Sequence, residues 1–256
     1  MDIMVRQTTP QGIPALELVP QDSGPHPVVL LYHGYAGRKE FILAQGYNLA
    51  RAGLHVVMPD AWGHGERATS AYCDFLEAVT RTVGEVEGIL ADSSASSARS
   101  GAEPLRAGIA GYSMGGCITF AYLAAGGRGM AAAAPIIGSP DWVSIFETTD
   151  AQQHMANFGE TTGGMAPEAY RERARSLQPL PRLDSFPRIP LLVQNGEADT
   201  LIPVGPVRSF CDRLRSRYTA PEMLRFIGYP GIGHADTVEM NLQMASWLRT
   251  HLSAGG

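Results

Sequence analysis

Apolar residues follow two patterns along this chain, and the two patterns alternate. Short runs of consecutive apolar residues, such as Val28–Tyr32, are typical of strands that are buried on both faces. Longer stretches in which apolar residues recur every three or four positions are typical of helices. Further strands are predicted at 54–58, 105–110, 130–137, 191–195 and 222–227, and helices at about 38–52, 70–90, 116–125, 204–217 and 237–251.

The chain opens with a different arrangement. Two short segments, Ile3–Thr8 and 15–19, flank a turn that contains Pro10 and Gly12, which predicts a β-hairpin. The later alternation of strands and helices predicts a mostly parallel sheet with helices on both faces. We therefore predict a single α/β domain over residues 1–256, with its ligand site at the carboxyl ends of the strands.

Two stretches interrupt the alternation. Residues 93–103 are rich in Ser, Ala and Gly, which predicts a surface loop. Residues 139–188 contain no convincing strand and many aromatic and methionine residues. An insertion of this length is often a lid over a site, and the alternative is a helical excursion packed on the body. If it is a lid, four of its residues are predicted to contact substrate: Trp142, Phe146, Met155 and Phe158.

A candidate nucleophile lies between a predicted strand and a predicted helix. Residues 111–115 read Gly-Tyr-Ser-Met-Gly, which matches the G-x-S-x-G pattern of a nucleophile elbow. The turn is sharp, and a side chain at Gly111 or Gly115 would crowd the backbone there. The pentapeptide alone is a weak signal, because a glycine-rich turn with an exposed serine would look the same. The strand-to-helix context favours Ser113 as a nucleophile.

A serine hydroxyl near neutral pH needs a base, and the base needs an orienting carboxylate. In this fold class the three residues follow the order Ser, Asp or Glu, His. Asp199 follows a predicted strand, and His234 follows the last strand in a glycine-rich loop. We predict Ser113, Asp199 and His234 as the catalytic set. Glu197 and Asp236 stay open as alternative carboxylates.

The loop after the Val28–Tyr32 strand is a candidate for oxyanion binding. An oxyanion hole needs two backbone N–H groups aimed at the developing charge. We assign one donor to Met114, which follows the serine, and the other to Tyr35, which follows a flexible Gly34. His33 is predicted to be a structural hydrogen-bonding residue. The segment 60–67, Asp-Ala-Trp-Gly-His-Gly-Glu-Arg, is predicted to support the pocket without taking part in the chemistry.

Composition narrows the functional classes. The chain has 256 residues, 45% hydrophobic and 18% charged, with a formal net charge of -5, which argues against disorder and a nucleic-acid surface. No phosphate-binding glycine motif or metal-ligand spacing occurs, so neither cofactor nor metal is predicted.

The start lacks a signal-peptide layout and no apolar run could span a bilayer, which predicts a cytoplasmic protein without a membrane partner. The three cysteines lie far apart and indicate no disulfide pair: Cys73, Cys117 and Cys211.

These motifs together resemble the α/β-hydrolase superfamily. The resemblance is carried by His-Gly-Tyr at 33–35, the 60–65 loop, the 111–116 elbow, Asn-Gly-Glu-Ala-Asp at 195–199 and Gly-His at 233–234. Within that superfamily the chain is similar to small bacterial carboxylesterases grouped with dienelactone hydrolases and prolyl-oligopeptidase catalytic domains. Dienelactone hydrolases usually use cysteine, and the serine at position 113 instead implies ordinary ester substrates.

The resemblance implies an α/β-hydrolase fold with a helical cap and a serine carboxylesterase that acts on small esters through an acyl-enzyme. Two other readings use the same residues. A serine peptidase or thioesterase would have identical machinery, and a non-catalytic binding protein could keep the fold. Oligomeric state cannot be read from the sequence, which allows a homo-oligomer.

Overall fold

A computed structural model of the chain describes residues 2–22, 24–69, 73–98, 106–148 and 165–253. Within these residues, eight strands form one sheet: β1 Ile3–Thr8, β2 Ala15–Pro20, β3 Val28–Tyr32, β4 His55–Pro59, β5 Ala107–Tyr112, β6 Met130–Ile136, β7 Leu191–Gly196 and β8 Leu224–Tyr229. The strand order is β1-β2-β4-β3-β5-β6-β7-β8. β2 pairs antiparallel with both β1 and β4, and all the remaining pairs are parallel. This confirms the predicted, mostly parallel sheet with an opening hairpin.

Helices cover both faces of this sheet. They are α1 Leu43–Arg51, α2 Phe75–Ala98, α3 Met114–Ala124, α4 Trp142–Glu147, α5 Pro167–Leu177, α6 Val204–Arg215 and α7 Val238–Ser253. Short 3-10 turns occur at Pro10–Gly12, Lys39–Ile42, Gly65–Arg67, Leu183–Ser185 and Pro221–Met223. The order and type of the predicted elements are confirmed, and their ends move by a few residues except at the end of α2, which lies eight residues later than predicted.

Alternation along β3 shows why both faces are covered. Val28, Leu30 and Tyr32 belong to one apolar cluster, which contains residues of α2, α3 and α6. Val29 and Leu31 belong to the other cluster, which contains residues of α1 and α7. Successive side chains of a strand point to opposite faces, so a strand made only of apolar residues must be covered on both. This arrangement leaves the carboxyl ends of the central strands as the edge at which loops meet.

One loop prediction was wrong in part. The surface loop expected at 93–103 begins later, because α2 continues to Ala98. Ser93 is buried, and its hydroxyl donates to the carbonyl of Ile89 one turn earlier, 2.8 Å away. A serine that satisfies its hydroxyl in this way can stay inside a helix. Small polar residues alone therefore did not mark the end of the helix.

The segment 139–188 contains two of the helices, α4 and α5, in its described parts. Both pack on the face of the sheet that carries α2, and no strand occurs in 139–148 or 165–188. Asp141 begins α4, where its carboxylate accepts from the backbone N–H and the hydroxyl of Ser144. This is the usual way to satisfy the free N–H groups of a first helical turn. The start of α4 is therefore specified locally, by its own capping residue.

Candidate active site

Ser113 lies on a strained turn between β5 and α3. Its backbone has φ 55° and ψ -113°, a conformation that residues other than glycine rarely adopt. The turn is also crowded, because a β-carbon at Gly111 would lie 2.5 Å from the backbone of Gly115. A β-carbon at Gly115 would lie 2.2 Å from the carbonyl oxygen of Tyr32. Both glycines of the motif are therefore required for β5, the turn and α3 to meet beside β3.

His234 lies between Ser113 and Asp199 and is hydrogen-bonded to both. Its Nε2 is 2.8 Å from Ser113 Oγ, and its Nδ1 is 2.8 Å from Asp199 Oδ2. A carboxylate only accepts, so Nδ1 carries the ring proton and Nε2 is left to accept from the serine hydroxyl. The imidazole is therefore oriented to take a proton from Ser113.

The carboxylate of Asp199 is held in place from its other side. Its Oδ1 accepts from the backbone N–H groups of Leu201 and Ile202, at 2.9 and 2.8 Å. The side chain is fully buried, whereas the side chain of His234 is 23% exposed. A buried carboxylate with three hydrogen bonds is fixed in position. It can therefore stabilise a positive imidazole during proton transfer.

The two alternative carboxylates are engaged elsewhere. Glu197 forms an exposed ion pair with Arg208, 2.7 Å between Oε1 and Nη2. Oδ2 of Asp236 accepts from the side-chain amides of Gln45 and Asn241, each at 3.0 Å. These partners occupy both rivals and leave Asp199 at the imidazole.

Two backbone segments lie beside the serine. Met114 is the first residue of α3, where N–H groups have no partner within the helix. On the other side, a β-carbon at Gly34 would lie 3.5 Å from the Ser113 β-carbon. The loop turns back here through a bond from Gly37 N–H to the Gly34 carbonyl, 3.1 Å long. The N–H groups of Met114 and Tyr35 thus belong to the two segments that flank the nucleophile, where an oxyanion would form.

The loop after β4 is tied to the loop after β3 through Asp60, which is fully buried. Asp60 Oδ1 accepts from the backbone N–H of Lys39 at 2.9 Å, and Oδ2 accepts from Lys39 Nζ at 2.8 Å and from Glu66 N–H at 3.0 Å. Burial alone would raise the pKa of Asp60, but these hydrogen bonds hold it below its ordinary value. Arg67 also donates to the Asp60 carbonyl. The segment 60–67 is therefore held together by its own hydrogen bonds, and its role as a support of the pocket stays a prediction.

The four residues predicted to contact substrate divide into two pairs. Trp142 is fully buried, and its indole N–H donates to the carbonyl of Ser139 at 3.1 Å. Phe146 is 8% exposed and packs edge-on against Tyr170 of α5, with ring centroids 5.1 Å apart. Both side chains thus belong to the buried apolar cluster that the insertion shares with α2. The other pair, Met155 and Phe158, lies outside the described residues.

Phe75, at the start of α2, was not singled out from the sequence. Its ring is 6.2 Å from Tyr35, 6.0 Å from Trp142 and 5.7 Å from Phe146. It is partly exposed, and it joins the loop beside Ser113 to the insertion. Nothing in the local sequence distinguishes it from other apolar residues of α2. Its position only becomes informative when β3, α2 and α4 are brought together.

Two features are absent from the described part of the chain. There, no three His, Cys, Asp or Glu side chains are grouped so that they could hold a metal ion. In the same residues, no helix combines the length and the apolar character needed to cross a membrane.

Several known proteins are similar to this chain. A Bacillus subtilis (strain 168) protein named "Putative esterase YitV" is 29% identical over 98% of this chain and 100% of its own length. The solved structure of TT1662 from Thermus thermophilus is 24% identical and covers 100% of both chains with a TM-score of 0.73. The Pyrococcus furiosus esterase Pf2001 is 16% identical over 98% of this chain and 93% of its own, with a TM-score of 0.70. The fold is therefore that of the α/β-hydrolases.

The family follows from the sequence match. Residues 41–254, most of the chain and all the described elements from α1 onward, match the prolyl oligopeptidase family. In α/β-hydrolases with a G-x-S-x-G motif, the serine lies on a strand-to-helix turn, which is where Ser113 lies. The chain belongs to the prolyl oligopeptidase family, as an esterase or peptidase of the serine hydrolase type.

Proposed function

We propose that this protein is a serine carboxylesterase that hydrolyses small carboxylic esters through an acyl-enzyme. One observation carries the proposal: Ser113, His234 and Asp199 are joined by two hydrogen bonds of 2.8 Å at the carboxyl edge of the sheet. A hydroxyl in that setting can lose its proton as it attacks a carbonyl.

The chemistry runs in two halves. Ser113 Oγ attacks the ester carbonyl while His234 Nε2 takes its proton, and Asp199 stabilises the imidazolium. The negative charge that develops on the carbonyl oxygen is held by the N–H groups of Tyr35 and Met114. His234 then protonates the departing alcohol, which leaves Ser113 acylated. In the second half His234 activates a water, which releases the carboxylic acid and restores the serine.

The acyl or alcohol group of the substrate is proposed to be apolar. Tyr35 and Phe75 present partly exposed aromatic rings next to the loop that flanks Ser113. Trp142 and Phe146 pack behind Phe75 and keep it in place. Apolar walls exclude water and strengthen the electrostatic contacts of the reacting carbonyl. Substrate selection is therefore assigned first to Phe75 and only indirectly to the two residues behind it.

A peptidase is the second candidate, and the family match favours it, because the matching family is named for oligopeptidases. The same residues could cleave an amide, or a thioester. Ester hydrolysis is preferred because the relative from Bacillus subtilis and the Pyrococcus furiosus structure are named as esterases. A binding protein without activity would have no need of the complete hydrogen-bonded set.

The test is a substrate panel on purified protein. A fluorophosphonate probe should label the wild-type chain and leave Ser113→Ala unlabelled, which reports on the nucleophile whatever the substrate. p-Nitrophenyl esters, thioesters and aminoacyl amides are then compared by kcat/KM. We expect esters to be hydrolysed best, and Ser113→Ala to lose about 10⁶-fold in kcat. A higher kcat/KM for aminoacyl amides would replace the esterase with the peptidase.

A further inference from the structure

His33 is a fully buried histidine whose two ring nitrogens are both occupied. Nε2 accepts from the backbone N–H of Ala61 at 3.1 Å, and Nδ1 is 2.8 Å from the carbonyl oxygen of Gly34. Because Nε2 accepts a proton donor, the neutral ring must carry its hydrogen on Nδ1. Nδ1 therefore donates to the Gly34 carbonyl, and Ala61 fixes the tautomer that makes this donation.

The Gly34 carbonyl belongs to the peptide unit whose N–H is that of Tyr35. It accepts from His33 Nδ1 and also from Gly37 N–H, 3.1 Å away. In a planar trans peptide the C=O and N–H bonds point in opposite directions. Two donors that hold the carbonyl therefore also fix the direction of the Tyr35 N–H. Gly34 itself lies against the nucleophile, since a β-carbon there would be 3.5 Å from that of Ser113.

We propose that His33 is a positioning residue for the oxyanion hole: by holding the Gly34 carbonyl, it aims the Tyr35 N–H at the oxygen that becomes charged when Ser113 attacks. This inference rests on the proposed function of the site. His33 does not touch substrate and transfers no proton. It keeps the Tyr35 N–H oriented before charge develops on the carbonyl oxygen. A donor that is already in position stabilises this charge most, because nothing has to reorganise during the reaction.

The surroundings of His33 keep it in the form that this role needs. Burial is the largest influence and lowers the pKa of His33 to about 4. The hydrogen bond to the Gly34 carbonyl opposes burial, as do Asp60 and Glu40 more weakly, whereas His64 lowers the pKa further. A second ring proton would also point Nε2–H at the Ala61 N–H, so that two donors would face each other. The ring therefore stays neutral at pH values at which an imidazole base is active.

The far end of the same loop is anchored by the residue next to Ala61. Asp60 accepts from the backbone N–H of Lys39, so the loop 33–39 is held at both ends by neighbouring residues after β4. Between these anchors, Ala36 has φ 55°, a conformation that glycine adopts more easily. A loop that contains such a residue keeps its shape only if its surroundings impose it. His33 and Asp60 supply those restraints.

The first experiment compares His33→Gln and His33→Phe with wild type, using the best ester of the panel and a trifluoromethyl ketone that forms a tetrahedral adduct with serine. We expect kcat to fall by about 10²-fold, the size of effect seen when one oxyanion donor is lost, with KM changed by less than about threefold. The inhibition constant of the ketone should rise by the same factor as kcat/KM falls. A purely structural role would change stability and leave both ratios untouched.

Two further variants separate positioning from folding. Gly37→Ala keeps the His33 side chain but crowds the hydrogen bond that it makes, because the added β-carbon would lie 2.8 Å from the Gly34 oxygen and 3.2 Å from His33 Nδ1. It should reproduce the loss of kcat and of ketone affinity. His55→Gln is the matched control: His55 is also buried and hydrogen-bonded, but it begins β4, at the end of the strand away from the site. It should lower thermal stability and keep wild-type kcat.

The outcomes distinguish this inference from the proposed function. Wild-type protein that neither reacts with fluorophosphonate nor turns over any acyl substrate would refute the function itself. Active wild type, with folded His33 and Gly37 variants that keep wild-type kcat and ketone affinity, would overturn the positioning role alone. If the His33 variants do not fold, the Gly37→Ala result decides: wild-type kcat and ketone affinity overturn the positioning role, and a loss of both supports it.

Discussion

Lys39 and Asp60 form an ion pair that is shielded from solvent, with 2.8 Å between Nζ and Oδ2 and side chains that are 1% and 0% exposed. The pair joins the loop after β4 to the loop after β3, which passes close to Ser113 at Gly34. Lys39 Nζ also reaches two exposed carboxylates, Glu40 and Glu66. These contacts raise the pKa of the ammonium against the opposing effect of burial. Among these three carboxylates, Asp60 is the buried one, and it also accepts from the backbone N–H groups of Lys39 and Glu66.

Lys39→Met should lower the free energy of unfolding by about 3 to 5 kcal/mol, because it leaves the Asp60 carboxylate buried without its cation. Urea denaturation measures the change. The matched control is Glu40→Gln, which removes an exposed partner 3.1 Å from the same ammonium and should cost less than about 1 kcal/mol. Equal losses for the two variants would show that the buried pair has no special weight.

Asp199→Asn should lower kcat by about 10⁴-fold, since an amide in place of the carboxylate favours the wrong imidazole tautomer. Steady-state kinetics measure the effect, and circular dichroism checks the fold. Glu197→Gln and Asp236→Asn serve as controls, because these carboxylates bond to Arg208 and to the side-chain amides of Gln45 and Asn241. We expect both controls to stay within a few-fold of wild type. If Glu197→Gln were the most damaging of the three, Asp199 would be the wrong carboxylate.

Phe75→Leu should change the preference between butyrate and acetate esters by several-fold, because each methylene in an apolar pocket contributes about 1 to 3 kcal/mol. The ratio of kcat/KM values measures it. Trp142→Ala should mainly reduce stability, by about 3 to 5 kcal/mol, since its side chain is fully buried. If Phe75→Leu left the butyrate-to-acetate ratio unchanged and Trp142→Ala changed it, the insertion and not Phe75 would determine substrate selection.

Glu17 should stabilise the fold in a pH-dependent way. It is buried between His55, 2.6 Å from its Oε1, and Arg6. Burial favours its neutral form, but the bonds from these two side chains outweigh burial and lower its pKa from 4.5 to about 2. Because the folded value lies below the unfolded one, the stabilisation is complete above about pH 4.5 and is lost as pH falls towards 2.

Glu17→Gln should therefore cost about 3 kcal/mol at pH 7, and the gap from wild type should narrow between pH 5 and pH 3. Thermal melts at several pH values measure the gap. Glu197→Gln, which removes an exposed carboxylate paired with Arg208, should show a small gap at every pH. A Glu17→Gln gap that stays constant down to pH 3 would rule out the linkage.

The order of elements could be predicted from the chain alone, because each pattern has a local cause. Val28–Tyr32 is apolar at every position, which only a strand covered on both faces tolerates. Gly111 and Gly115 mark a turn at which a β-carbon would collide with backbone, and Ser113 lies between them. The order of Ser113, Asp199 and His234 along the chain, each after a strand, was likewise visible in the sequence.

Tertiary structure decided what depends on distance between remote residues. His234 and Ser113 are 121 positions apart, and only the parallel arrangement of β5 and β8 brings them within hydrogen-bond reach. The choice of Asp199 over Glu197 is set by which carboxylate faces the imidazole, and periodicity carries no information on that direction. The position of Phe75 near the site likewise depends on tertiary structure, because it results from packing between α2 and α4. Sequence patterns report which face of an element is buried, whereas the partner buried against it is fixed only when the whole chain has folded.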